Sequence, residues 1–192
     1  MSKGKIIWLN GVSSSGKSTL AQTLQDRLSE PFYLLANDMF TDEPVCPAKF
    51  VGIDADATCQ RALTGMYHAV KAFSDAGIHT VVDDVLLMDE SHDRLRQCVE
   101  LLHGHPVLFV HVTCPADELR RREEARNDRW IGMGESQLAA LTPQEPYDIV
   151  VDTHENSQVA CAEKIIEALR CPEKFSAFKT FWSRMNGKES GG

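Results

Sequence analysis

From Gly11 to Ser18 the chain reads Gly-Val-Ser-Ser-Ser-Gly-Lys-Ser, which fills every fixed position of the pattern G-x-x-x-x-G-K-[ST]. Glycines at 11 and 16 let the backbone fold closely around a polyanion without Cβ clashes. Successive backbone N–H groups and the start of the following helix then point at one place, where they hold an anion together. Lys17 adds a fixed cation for the terminal phosphates of ATP, and the Ser18 hydroxyl is a hard oxygen donor for Mg²⁺. Gly11, Val12, Ser13, Ser14, Ser15, Gly16, Lys17, Ser18 and Thr19 are therefore the candidate nucleotide-binding set.

Carboxylates come next. Asp83 and Asp84 end the apolar run from Ile78. At a strand end beside a phosphate loop, such a carboxylate can hold the water shell of Mg²⁺. Asp83 is the favoured metal residue together with Ser18, and Asp84 is a near rival; both also suit a helix cap or a turn. Asp38 follows the short apolar run from Phe32 to Ala36. There a carboxylate faces the cleft across from the transferable phosphate, where it can orient an acceptor hydroxyl and take its proton. Asn37 reads as a turn residue.

Arginines crowd the segment Leu119-Arg-Arg-Arg-Glu-Glu-Ala-Arg-Asn-Asp-Arg129. The interleaved Glu123 and Glu124 make part of it a solvated helix with i,i+4 pairs, a reading that suits Arg120 and Arg121 best. Arg126 and Arg129 lie one turn apart near the helix end, where two guanidinium groups can close over a nucleotide and neutralise the transferring group. Arg122 is a weaker candidate for the same lid, and Gly132 and Gly134 offer a hinge.

These residues need elements to position them. Five strand-like runs (Lys5–Asn10, Phe32–Ala36, Ile78–Asp84, Pro106–Val112, Ile149–Val151) alternate with helical periods. Leu20, Leu24 and Leu28 mark one helix, and Leu63, Met66, Tyr67, Val70 and Phe73 another from about Ala57 to Ala76. Further helices are expected over Ser91–His103, from Pro115 to about Asn127, and after a cap at Ser157. Strand–helix alternation with strands apolar on both faces predicts an α/β fold, a parallel sheet sandwiched between helices. Ligands in such sheets lie at the carboxyl ends of the strands.

The 192 residues are 43% hydrophobic and 25% charged, with a net charge of -8. That length suits one domain, and the acidic balance opposes a nucleic-acid partner. No apolar run has the roughly 20 residues a membrane span needs. The N-terminus enters the first strand directly, which we read as lacking a signal peptide. Six scattered cysteines without metal-ligand spacing read as free thiols in a reducing, cytoplasmic compartment.

Taken together, the segments IIWLNGVSSSGKST, LLANDMF, VVDDVLL, RREEARNDRWIGM and YDIVVDTHENS resemble the chloramphenicol phosphotransferase family of P-loop kinases, in family order. The resemblance implies a P-loop NTPase three-layer sandwich with a five-stranded parallel sheet, of the nucleotide-kinase and shikimate-kinase type. It implies ATP with Mg²⁺ and transfer of the γ-phosphoryl group to a hydroxyl of a small molecule. By the motif match Asp38 is the catalytic base, Lys17 and Ser18 serve phosphate and metal, Arg126 and Arg129 are lid arginines, and Thr153 to Asn156 flank the adenine. The expected organisation is a kinase domain over 1–170, with an acceptor-side loop at 41–60 and a lid at about 115–135. A C-terminal tail over 171–192 follows, partly helical and then mobile. The alternatives are a metabolite kinase acting on shikimate, gluconate or adenylyl sulfate, and a non-catalytic NTP-binding switch.

Overall fold

A computed structural model describes residues 2–41, 54–87, 93–126, 131–141 and 146–187. Five strands form one sheet: β1 (Ile6–Asn10), β2 (Phe32–Ala36), β3 (His79–Asp84), β4 (Val107–Thr113) and β5 (Ile149–Asp152). Their order is β2-β3-β1-β4-β5 and every pairing is parallel. The helices are α1 (Lys17–Arg27), α2 (Asp38–Thr41), α3 (Ala55–Asp75), α4 (Arg94–Leu102), α5 (Ala116–Arg126), α6 (Met133–Leu138), α7 (Gln158–Ala168) and α8 (Ala177–Gly187).

The period-two alternation of the strands divides the core in two. Ile6, Trp8, Val82 and Phe109 face α3, α4 and α8, where Tyr67, Leu95 and Phe178 pack on them. Ile7, Leu9, Val81 and Val110 face α1 and α7, against Leu20, Leu24, Ala162 and Ile165. Covered on both faces, the central strands read as continuous apolar runs rather than alternating ones.

Three boundaries differ from the sequence reading. First, α3 begins at Ala55, because the Asp54 side chain caps it by accepting the Ala57 N–H at 3.0 Å. The segment after Asp38 is thus shorter than 41–60, and residues 42–53 lie outside the described ones. Second, the C-terminal segment is part of the core: α8 buries Phe178 and Phe181, and His103 stacks on Trp182 at 4.0 Å. Its final stretch, 188–192, lies outside the described residues. Third, α4 starts at Arg94, capped by Asp93.

The register then sets the site. Asn10 pairs with Asp84 and Ala36 with Asp83, so the carboxyl ends of β1, β3 and β2 lie side by side.

Candidate active site

The phosphate loop connects β1 to α1 and is shaped by its sequence. Gly16 has φ +92°, a left-handed conformation in which a Cβ would also meet Gln158 Nε2 at 3.0 Å and Thr153 Oγ1 at 3.3 Å. Ser14 takes φ 62°, a conformation uncommon for a residue with a side chain, and it turns successive N–H groups inward. The hydroxyls of Ser13, Ser14 and Ser15 are buried without hydrogen-bond partners among the described residues. A loop closed by glycine, with Ser13, Ser14, Gly16, Lys17 and Ser18 on one cleft and hydroxyls left unsatisfied within it, fits a polyphosphate.

Lys17 is buried; its Nζ donates to Val12 O at 3.0 Å and stands 3.9 Å from Asp83 Oδ1. The Ser18 hydroxyl donates to Asp83 Oδ2 at 2.7 Å. Burial pushes the Asp83 carboxyl above its ordinary range. Lys17 and Ser18 pull it back, while the charges of Asp38 and Asp84 add to the push. A cation beside Ser18 and Asp83 would relieve that strain, and this pair of hard oxygens fits Mg²⁺, which needs few protein ligands when it also binds substrate phosphates.

The two adjacent carboxylates separate by strand alternation. Asp83 lies with Val81 on the α1 side, next to Ser18. Asp84 lies with Val82 on the α3–α4 side and is fully buried. There its Oδ2 accepts the Tyr67 hydroxyl at 3.0 Å, and its Oδ1 accepts Asn37 Nδ2 and the Val85 N–H, both at 2.7 Å. Arg94 Nη1 stands 3.5 Å from the same oxygen, and Arg94 Nη2 donates to Val85 O. Asp84 therefore ties β3, α3, α4 and the end of β2 together. Asn37, read as a turn residue, is one of these ties.

Burial first, and the charge of Asp84 second, push the Tyr67 hydroxyl well above the ordinary phenol range, so it remains a donor. Tyr67→Phe should cost about 1.5–3 kcal/mol, because it leaves a buried charge short of one partner. Urea unfolding of the two proteins measures this; equal midpoints would show that Asp84 does not depend on the phenol.

Asp38 opens α2 at the end of β2. It lines the same cleft of about 450 Å³ as Lys17, Ser18, Asp83, Asp84 and Arg94. The structure thus brings the phosphate loop and both predicted carboxylates onto one cavity. Of the lid residues, Arg126 closes α5, and Arg129 lies outside the described residues.

The remaining charged residues of α5 are not simply solvated. Leu119, Arg122 and Glu123 share the inner face of the helix. Arg122 donates to Ser14 O at 3.3 Å and, from separate nitrogens, to Thr153 Oγ1 and Thr153 O at 3.0 Å each. It buttresses the loop from behind, with Glu118 accepting its Nε–H at 2.8 Å. Thr153 completes the buttress by donating to Ser15 O at 2.6 Å, so its side chain is spent on the loop. Glu123 is 1% exposed and accepts the N–H groups of Gly132 at 2.7 Å and Gly134 at 2.8 Å. The two glycines are pinned there rather than acting as free hinges. Arg120 and Arg121 are exposed and paired with Glu135 and Glu118, as a solvated face requires.

A parallel sheet in this order, with a glycine-lined phosphate loop and acidic residues at adjacent strand ends, defines a P-loop kinase. Residues 4–170 match the family model described as chloramphenicol phosphotransferase-like protein, and the chain belongs to that family. An adenylyl-sulfate kinase of Clostridium acetobutylicum is 28% identical over 177 residues, covering 88% of this chain and 84% of the relative. Among solved structures, the APS kinase of Mycobacterium tuberculosis in complex with AMPPNP and APS superposes with a TM-score of 0.65 at 21% identity. That match covers 88% of this chain and 99% of the other. The tunicamycin resistance protein of Deinococcus radiodurans also gives 0.65 at 21% identity, covering 87% and 96%. At these identities the two structures attest to the fold. Among the described residues, no helix is long and apolar enough to cross a membrane.

Proposed function

We propose that this enzyme uses ATP with Mg²⁺ to phosphorylate a hydroxyl on a small, uncharged molecule of the chloramphenicol type, in the cytoplasm. The observation that carries the reading is the single cleft shared by Lys17, Ser18, Asp83 and Asp38. Nucleotide lies along the phosphate loop, with its terminal phosphates toward Lys17. When bound, Mg²⁺ held by Ser18 and Asp83 neutralises charge on those phosphates. Asp38, across the cleft, orients the acceptor hydroxyl and receives its proton. Arg126 and Arg129 close the lid over the transferring group, and a water-excluding lid limits hydrolysis.

The likeness to adenylyl-sulfate kinases supports a second reading, an acceptor that already carries sulfate and phosphate. Cleft charge argues against it. Among the described lining residues the cations are Lys17 and Arg94, and each stands beside an aspartate of the same cleft. Asp38 adds a carboxylate, and the described lining residues offer no further cation to receive a second anionic group.

A mass-spectrometric screen of hydroxylated compounds with ATP and Mg²⁺ tests this, with chloramphenicol first and adenylyl sulfate in parallel. The expected result is a Mg²⁺-dependent phosphorylated product from an uncharged alcohol. Faster turnover of adenylyl sulfate than of every neutral compound would overturn the acceptor assignment and leave the kinase reading intact.

A further inference from the structure

Gln137 sits on α6, far in sequence from the phosphate loop, yet its Oε1 accepts the backbone N–H of Ser13 at 2.7 Å. The contact is rigidly delivered. Gly134, one turn earlier, is so close to the loop that a Cβ on it would meet Ser13 O at 2.7 Å. The N–H of Gly134 is in turn held at 2.8 Å by the buried carboxylate of Glu123. α5 and α6 are thereby locked to each other and to the loop. Gln137 also lines the cleft that holds Lys17, Asp83 and Asp38.

The amide orientation follows from chemistry. Ser13 N–H is a donor, so the oxygen of Gln137 must face it, and the amide nitrogen is what the side chain has left to offer the cleft. Its Nε2 has no hydrogen-bond partner among the described residues.

We infer that Gln137 is a further catalytic residue. Its oxygen fixes the Ser13 edge of the phosphate loop, and its N–H₂ donates to an oxygen of the transferring phosphoryl group. A neutral donor is suited to that place. It stabilises charge that spreads onto the phosphoryl oxygens in the loose transition state without adding a cation to hold the product. It also makes α6, which is held against the loop through Gly134 and Gln137, part of the transfer machinery.

The inference deepens the proposed phosphotransfer and rests on it. Two variants test it in the full chain, Gln137→Met and Gln137→Glu. Methionine keeps length and packing but neither accepts nor donates strongly. Glutamate still accepts the Ser13 N–H but presents no N–H₂. Gln137 is only half-buried on a short helix, so both variants are expected to fold, and melting temperature checks that.

Turnover is read as ATP hydrolysis at saturating ATP with water as the acceptor, and affinity with a fluorescent ATP analogue. Both variants should lose on the order of 10²-fold in rate, the usual effect of removing one preorganised donor. Gln137→Met should leave affinity within about threefold, because the lost contact acts on the transition state.

A wild-type rate in either variant overturns the inference. So does tighter ATP binding by Gln137→Met, which would make the glutamine a competitor for the Ser13 N–H. Parallel loss of melting temperature, affinity and rate would reduce it to a structural strut. A wild type that neither binds nor hydrolyses ATP would overturn the phosphotransfer reading as well, whereas an active wild type with equally active variants overturns this inference alone.

Discussion

Lys17→Ala is expected to lower turnover by about 10²–10³, with melting temperature as the control for folding. The reason lies in what Lys17 does in both states of the cleft. Its Nζ hangs between Val12 O at 3.0 Å and Asp83 Oδ1 at 3.9 Å, which places a fixed charge at the mouth of the phosphate loop. Charge that accumulates on the transferring phosphates draws directly on that cation, and a preorganised charge needs no rearrangement when the reaction occurs. The substitution has a second effect. Asp83 is already pushed toward its neutral form by burial, and Lys17 is the main group pulling it back. Without the lysine, Asp83 would hold the proposed Mg²⁺ less well. Methionine at position 17 restores volume but not charge, so it should show the same loss. A well-folded Lys17→Met protein with near wild-type turnover would remove the phosphate loop from the mechanism.

The parts of this site differ in how far they could be read from the chain, and the reasons are physical. The phosphate loop is contiguous, so Gly11 to Thr19 carry their own geometry. The sheet was legible because strands buried on both faces leave unbroken apolar runs such as Ile6–Leu9. Asp83 could be favoured over Asp84 only narrowly, because alternation says only that they face opposite ways. Which face carries α1 and which carries α3 is decided by the strand order. Arg122 and Glu123 were hidden because the inner face of α5 is polar: only Leu119 breaks a run of charges that otherwise looks solvated. The i, i+3, i+4 spacing of Leu119, Arg122 and Glu123 was the available signal. For Gln137 there was none, since one glutamine on a six-residue helix has no pattern. α8 was half visible in Phe178 and Trp182, but the uncovered sheet face that calls for Phe178 and Phe181 exists only in the folded chain, and Phe175, which precedes α8, packs on the opposite face.

Asp38→Asn is expected to lower phosphoryl transfer to the true acceptor by roughly 10²–10⁴, with ATP and Mg²⁺ binding almost unchanged. Asp38 follows β2, two strands from the β1 that leads into the phosphate loop, and lines the cleft, whereas Ser18 and Lys17 engage Asp83. In the proposed reaction the two carboxylates therefore hold different parts. Asparagine keeps the size of aspartate and can still accept a hydrogen bond from an alcohol, but it cannot take the proton. The size of the loss thus reports the role. In a loose transition state the nucleophile keeps its proton late, so an aspartate that chiefly orients the hydroxyl gives a loss near the lower bound, and one that removes the proton early gives the upper. Asp83→Asn should behave differently, raising the Mg²⁺ concentration needed for half-maximal rate and weakening nucleotide binding together. The pair of variants separates the roles in one experiment, a Mg²⁺ titration of rate at fixed acceptor with ATP affinity measured beside it. If Asp38→Asn shifts the Mg²⁺ dependence and Asp83→Asn does not, the assignments are exchanged. If Asp38→Asn keeps full transfer to its acceptor, Asp38 is no more than the first residue of α2, and the acceptor hydroxyl must be held by another group on that side of the cleft.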